Sequence, residues 1–113
     1  MNPSRGDIWM VDLNPVRGHE QAGYRPGLII SVDLFNHGPA ELVVILPITS
    51  KNKGIPFHIP LEPEDSGLET KSYIKCEDIR SLSKDRLTGK IGSAPPKVMA
   101  LVEDRLRILL GLF

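Results

Sequence analysis

The chain has 113 residues, of which 41% are hydrophobic, and this predicts a single domain over residues 1–113 with one compact core. Its 14 basic residues balance its 14 acidic residues, which excludes a strong overall field that would attract nucleic acid or a membrane, so any basic site must be local. The apolar runs are shorter than the roughly 20 residues that span a bilayer, and the start lacks the apolar core of a signal peptide. We therefore expect a cytoplasmic protein that does not contact a membrane.

Short apolar runs separated by turn residues predict several β-strands. The first, at residues 8–13, alternates so that Trp9, Val11 and Leu13 share one face. The second is an apolar, largely β-branched run made by Leu28, Ile29, Ile30 and Val32, which is typical of a strand buried on both faces. Further strands are predicted at residues 42–48 and 57–61, and residues 72–76 and 79–82 form one or two more. Prolines in and around residues 57–61 confine that segment to a sheet edge or to a short strand.

From residue 96 onward the hydrophobic residues recur with helical spacing, which predicts an amphipathic C-terminal helix. Its predicted apolar stripe consists of Val98, Leu101, Val102, Leu106, Leu109 and Phe113. The chain is thus expected to be mainly β with a C-terminal helix, in the form of a small, mostly antiparallel β-barrel.

The connection RGHEQAGYRP, at residues 17–26, carries more charge than a hairpin requires. Arg25 is held extended by Pro26, and a rigidly placed guanidinium suits a phosphate group. The alternative is a surface arginine paired with Glu20 or with a loop carbonyl. His19 and Glu20 have the side chains of acid–base groups, although a lone loop histidine is more often a surface residue.

Thr49 and Ser50 end the third predicted strand, where their hydroxyl groups are candidates for hydrogen bonds to a phosphate. The alternative is a turn in which the hydroxyl binds its own backbone. Lys51 and Lys53 follow, either as a rim that attracts phosphate or as a solvated loop.

Strand alternation predicts that Lys75 and Glu77 share a face, opposite Cys76, as substrate contacts or as an ordinary cross-strand ion pair. Cys76 is the only cysteine, so an internal disulfide is excluded, and its simplest role is that of a small core residue. The three histidines lack the spacing of a zinc site, so no metal is expected.

Four segments in order carry a resemblance to a known family: RGDIWMVDLNPVRGHEQAGYRPGLIIS, LPITS, YIKCEDIRSLSKDRLTGKIG and MALVEDRLRILLGL. The most specific patterns within them are RGD-x-W-x-V-x-L-x-P, G-x-E-Q-x-G-x-R-P and P-x-T-S. In this combination the chain resembles the MazF/PemK toxins of type II toxin–antitoxin systems.

The resemblance implies a compact β-barrel related to SH3-like folds, a symmetric homodimer and an endoribonuclease that needs no metal or other cofactor. Such mRNA interferases cut single-stranded RNA at specific sequences, through attack of the 2′-hydroxyl on the adjacent phosphorus, and leave a 2′,3′-cyclic phosphate and a 5′-hydroxyl. The implied partners are RNA and a cognate antitoxin, whose acidic, initially disordered tail would compete with RNA for the basic groove.

Residue roles follow from the same resemblance. Arg25 and Thr49 match the catalytic arginine and threonine of the family, with Ser50 as a neighbouring donor. The remaining expected substrate-binding residues are His19, Glu20, Gln21, Lys51, Lys75 and Glu77. The run Lys75-Cys76-Glu77 departs from the Arg-Cys-Asp of the PemK pattern, and we therefore expect it to bind substrate without taking part in essential chemistry. The identity of the general base stays open.

Two rival functions remain at this stage. A non-enzymatic toxin of the same fold would bind DNA gyrase through the C-terminal helix, and a degenerate member would bind RNA or antitoxin without cutting. The Arg25 and Thr49 motifs argue against the gyrase binder, as does the lack of a tryptophan near the C-terminus. The loops at residues 36–41 and 51–56 are the predicted determinants of the RNA sequence that is cut.

Overall fold

The computed structural model describes residues 2–14, 18 and 23–112. Its strands are β1 (Asp7–Asp12), β2 (Tyr24–Ile29), β3 (Leu42–Thr49), β4 (His58–Leu61), β5 (Ser72–Lys75), β6 (Arg80–Ser83) and β7 (Leu87–Ser93). Its helices are α1 (Asp33–Asn36), α2 (Pro63–Ser66) and α3 (Pro96–Leu110). Single 3-10 turns lie at Cys76–Asp78 and Lys84–Arg86.

The strands form one antiparallel sheet in the order β4-β5-β3-β2-β1-β7. β3 is its centre, because its first half also pairs with β6 while its end pairs with β5. The mainly β class with a C-terminal helix is confirmed. The strands at the two ends of the path, β4 and β7, do not pair within the described residues, so the sheet is open and barrel-like rather than a closed barrel. The predicted edge position of the proline-containing β4 is confirmed.

Buried hydrophobic residues form two clusters, where the sequence predicted one compact core. Neighbouring residues of a strand belong to different clusters, as Leu28 and Ile29 do in β2, because successive side chains point to opposite faces of a sheet. β2 is therefore buried on both sides, as predicted. Trp9, Val11 and Leu13 share the second cluster, which confirms their predicted common face.

The sequence did not predict β7, and it placed the start of β2 at residue 28 instead of Tyr24. β7 reads LTGKIGS and offers little apolar alternation, but it pairs with β1 along most of its length. β2 contains a Pro-Gly pair at residues 26 and 27. Residues 24–26 pair with β1 alone, and pairing with β3 starts at Gly27. A one-sided ladder tolerates a proline that the interior of a sheet does not.

α3 packs on the sheet through a narrower stripe than predicted. Val98 and Val102 are buried and Leu106 packs against the first cluster, whereas Leu101 and Leu109 are exposed to 45% and 36%. These two leucines belong to the predicted apolar stripe but lie outside its contact with the sheet, because the sheet covers only one side of the helix. Phe113 lies outside the described residues. None of the helices in the described ranges is long and apolar enough to cross a membrane.

Candidate active site

The pairing of β2 with β3 ends two residues short of both Arg25 and Thr49, and it brings these two residues together. Gly27 pairs with Pro47, and the same antiparallel register continued by two residues on each strand places Arg25 opposite Thr49. Both residues line a cavity of about 480 Å³, a volume within the range of small-molecule sites. The sheet itself therefore builds the core of the predicted site.

One edge of this cavity is cationic. Lys51 and Lys53 line it together with Arg25, while Glu69 is the only acidic residue among the described residues of the lining. Ser50 adds a hydroxyl group. A chain of zero net charge thus gathers local positive charge where the sequence predicted it, and such a site attracts the phosphates of a nucleic acid.

The Thr49 side chain is half-buried at the end of β3, and its hydroxyl oxygen accepts a hydrogen bond of 3.2 Å from the backbone N–H of Lys51. This is the backbone turn that was the alternative interpretation of Thr49. The two interpretations are compatible, because a hydroxyl that accepts one bond keeps its own hydrogen for donation. The turn fixes the oxygen so that the hydrogen is available to a ligand in the cavity.

Residues 67–70 form a second wall of the cavity, and the sequence predicted no site residue there. Gly67 ends α2 in the left-handed conformation, with φ of 84°. The Ser66 hydroxyl donates to the Glu62 carbonyl at 2.8 Å and accepts from the Leu68 N–H at 3.3 Å. At the other end the Ser72 hydroxyl donates to the Thr70 carbonyl at 3.0 Å. The wall is therefore held on both sides by its own hydrogen bonds.

The remaining predicted residues of the loop at 17–26 cannot be placed against this cavity. His19, Glu20 and Gln21 lie outside the described residues, and their roles stay predictions. Of the two loops predicted to set sequence specificity, residues 51–56 contribute Lys51 and Lys53 to the lining, and residues 36–41 contribute none.

Lys75 and Glu77 are not among the residues that line the cavity. Lys75 is buried, with its Nζ atom 3.7 Å from a carboxylate oxygen of Asp78, and an oxygen of Glu77 lies 2.7 Å from His58 Nε2. The predicted alternation of Lys75 and Glu77 on one face was wrong, because β5 ends at Lys75 and a 3-10 turn follows. Substrate binding by these two residues stays a prediction that this cavity does not support.

Cys76 is fully buried in the first hydrophobic cluster. Burial raises the pKa of its thiol to about 12, Glu77 adds to the rise and Arg105 opposes it. The thiol is therefore protonated at neutral pH, as suits a core residue rather than a nucleophile. Within the described residues no group of three or more His, Cys, Asp and Glu side chains is arranged to hold a metal ion.

Comparison with known proteins identifies the family. Residues 4–110 match the family described as PemK-like, MazF-like toxin of type II toxin-antitoxin system. Endoribonuclease EndoA of Bacillus subtilis is 37% identical over 109 residues, which are 96% of this chain and 94% of that protein. The crystal structure of MazF from Deinococcus radiodurans superposes with a TM-score of 0.87 at 32% identity, covering 98% of each chain. An endoribonuclease from a mycobacterial species, solved in complex with its cognate antitoxin, superposes with a TM-score of 0.79 at 28% identity, covering 99% of this chain and 96% of that one. The chain therefore belongs to the PemK/MazF family of toxins of type II toxin–antitoxin systems.

Proposed function

We propose that this chain is the toxin of a type II toxin–antitoxin pair and acts in the cytoplasm as an endoribonuclease that cuts single-stranded mRNA at specific sequences. The observation that carries the proposal is the meeting of Arg25 and Thr49 in a cavity with a cationic edge. The endoribonuclease of Bacillus subtilis, similar over nearly the whole chain, supports the same activity.

The reaction that suits this site is an attack of the RNA 2′-hydroxyl on the adjacent phosphorus. The new bond closes a 2′,3′-cyclic phosphate, the bond to the 5′-oxygen breaks, and that oxygen leaves as a hydroxyl after it gains a proton. Negative charge gathers on the phosphoryl oxygens, which are the acceptors for the Arg25 guanidinium and the Thr49 hydroxyl. Ser50 is a neighbouring donor on the same cavity.

The reaction also needs a base for the 2′-hydroxyl and an acid for the leaving oxygen. The pKa of an arginine is too high for an efficient base at neutral pH, and electrostatic stabilisation is therefore the main role of Arg25. We assign the base to another group of the loop at residues 17–26, where His19 and Glu20 have suitable side chains. No metal ion takes part in the proposed reaction.

The cognate antitoxin is the proposed protein partner. The mycobacterial relative was solved with its antitoxin, which supports an equivalent partner for this chain. An acidic tail would find Arg25, Lys51 and Lys53 along the same cavity edge that attracts RNA phosphates. Inhibition would then result from direct competition between the tail and RNA.

A homodimer is the proposed assembly, and the surface of α3 supports it. Large apolar side chains are exposed on this helix and just after it: Leu101, Ile108, Leu109, Leu110 and Leu112. Apolar surface of this kind is typical of protein interfaces. Sedimentation equilibrium at micromolar concentration should give twice the mass of the 12.5 kDa chain, and a stable monomer would contradict the proposal.

The test of the activity is cleavage of a long single-stranded RNA in EDTA by the wild type, Arg25→Ala and Thr49→Val. Loss of one donor to a developing oxyanion lowers kcat by about 10²–10³-fold, and we expect a loss of this size for Thr49→Val. Thr88→Val is the matched control, because the Thr88 hydroxyl bonds to the Met10 carbonyl at 3.2 Å and the residue does not line the cavity.

We expect the wild type and Thr88→Val to cut at the same recurring short sequence and to leave cyclic phosphate ends. A substrate with a 2′-deoxy sugar at the cut position should stay intact. If the folded wild type left RNA intact, or if Arg25→Ala and Thr49→Val cut as fast as the wild type, the proposed function would be wrong.

A further inference from the structure

The carboxylate of Glu69 differs in charge from the other charged side chains that line the cavity. It is the only acidic side chain among the described lining residues, alongside Arg25, Lys51 and Lys53. A carboxylate repels a phosphodiester, and Glu69 therefore does not suit the phosphate half of a nucleotide. The part of a substrate that suits it is one that offers hydrogen-bond donors.

Glu69 is also available for such a partner. Its side chain is exposed and forms no hydrogen bond or salt bridge with the part of the chain that the structure describes. The adjacent Thr70 is exposed as well, and its carbonyl oxygen, not its hydroxyl, accepts the bond from Ser72. Two polar side chains that do not bond to the rest of the described protein thus project from one wall of the cavity.

The backbone that carries these side chains is fixed. Besides the hydrogen bonds of Ser66 and Ser72, the chain at Ser66 lies directly on β7, so close that a methyl group added to Gly92 would be 2.0 Å from the Ser66 carbonyl oxygen. Discrimination between bases requires readers whose positions do not shift with the ligand. The 67–70 wall meets that requirement.

We propose that Glu69 and Thr70 form a base-reading subsite for the nucleotide next to the cut, and that this subsite accepts bases with an exocyclic amino group and rejects uracil. A carboxylate only accepts hydrogen bonds, so it pairs with the amino group of cytosine, adenine or guanine. The Watson–Crick edge of uracil has a carbonyl oxygen on each side of its one N–H group, and these oxygens repel a carboxylate. The Thr70 hydroxyl either donates or accepts, and so serves the ring nitrogen beside the amino group.

This inference rests on the proposed ribonuclease function and names a specificity determinant of the same site. Its test is cleavage of an RNA library randomised around the cut position by the wild type, Glu69→Gln and the control Glu64→Gln. Glu64 is an exposed glutamate of α2 that does not line the cavity, and both changes keep the shape of the side chain. Urea unfolding of each variant establishes that it is folded.

In the wild type we expect one position beside the cut to exclude uracil. Because an amide offers a donor as well as an acceptor, Glu69→Gln should raise the relative cleavage of uracil at that position by about tenfold or more, and leave the preferences at other positions unchanged. Glu64→Gln should reproduce the wild-type preferences.

Two results would overturn the inference while the ribonuclease function stands. One is an unchanged base preference in folded Glu69→Gln. The other is an equal loss of rate at every sequence with an altered pH profile, which would make Glu69 an acid–base group. Intact RNA with the folded wild type is a different failure, because it removes the proposed function and this inference with it.

Discussion

The close contact between β7 and the turn at Ser66 predicts a large cost for Gly92→Ala. The new methyl carbon would lie 2.0 Å from the Ser66 carbonyl oxygen and 2.9 Å from its carbonyl carbon. Both atoms are backbone, so no side-chain rotation relieves the clash, and the strand and the turn must separate. Overpacking a fixed site typically costs about 1–3 kcal/mol, and contact with rigid backbone places the cost of Gly92→Ala at about 3 kcal/mol.

Gly89→Ala is the matched control in the same strand. A methyl group there meets no atom within 4 Å, and the position has no positive φ. The substitution should leave stability unchanged or raise it by up to about 1 kcal/mol, because alanine reduces the entropy of the unfolded chain. The pair therefore separates the close approach at Gly92 from any general effect of alanine in β7.

Urea unfolding and thermal unfolding, both followed by the fluorescence of the buried Trp9, measure both variants. For a loss of about 3 kcal/mol we expect the melting temperature of Gly92→Ala to fall by about 12 °C or more. Since the same turn leads into the 67–70 wall, RNA cleavage by folded Gly92→Ala should fall as well. Equal unfolding midpoints for Gly92→Ala and Gly89→Ala would refute the reasoning.

Three further predictions concern the cavity edge and the buried cluster beside it. Lys51→Ala and Lys53→Ala should each weaken binding of an uncleavable RNA, and each should lower by about 0.7 the magnitude of the slope of the logarithm of the binding constant against the logarithm of the salt concentration. Lys97 is exposed and lies outside the cavity, so Lys97→Ala should change neither quantity; equal slopes for all three variants would contradict the prediction. Glu77→Ala should lower the free energy of unfolding by about 1–3 kcal/mol, measured in urea, because it leaves its buried histidine partner without a hydrogen bond; an unchanged midpoint would count against that role. Since the Cys76 pKa is raised to about 12, iodoacetamide at pH 8 should label the folded protein far more slowly than the protein in denaturant, and rapid labelling of the folded protein would exclude a buried thiol. The same thiol should make the free energy of unfolding fall as pH rises from 9 toward 12, and this loss should be absent from Cys76→Ala.

Those parts of the fold that bury side chains in a regular pattern were predictable. The apolar run in β2 predicted a strand buried on both faces, and the alternation in β1 predicted which of its residues share a face. Both predictions were correct, because burial requires apolar side chains at these positions. β7 was missed because its place depends on backbone pairing with β1 and on a close approach at Gly92, neither of which requires apolar residues. The helical spacing predicted the apolar stripe of α3 but not which of its leucines the sheet covers, because hydrophobic spacing does not specify the neighbouring element.

The candidate site also has a part that the sequence predicts and a part that only the tertiary structure reveals. Arg25, Thr49 and the lysines after Thr49 belong to motifs and strand ends, and the structure places them on one cavity. Residues 67–70 have no motif, and only the tertiary contact between the turn after α2 and β7 brings them to that cavity. Lys75 and Glu77 were assigned as if β5 continued, but the 3-10 turn and the partners Asp78 and His58 hold them elsewhere.

The pairing of β2 with β3 also determines where the chain tolerates change in length. The relative position of Arg25 and Thr49 depends on which residues pair across the two strands, and not on how many residues join them. Doubling the length of a flexible loop costs only about 0.6 kcal/mol of closure entropy. The exposed residues Pro39 and Ala40 in this connection lie away from the cavity lining. A peptide tag or a fluorophore inserted there would therefore leave Arg25 and Thr49 in place, and any change in the RNA sequence that is cut would report on the predicted role of residues 36–41.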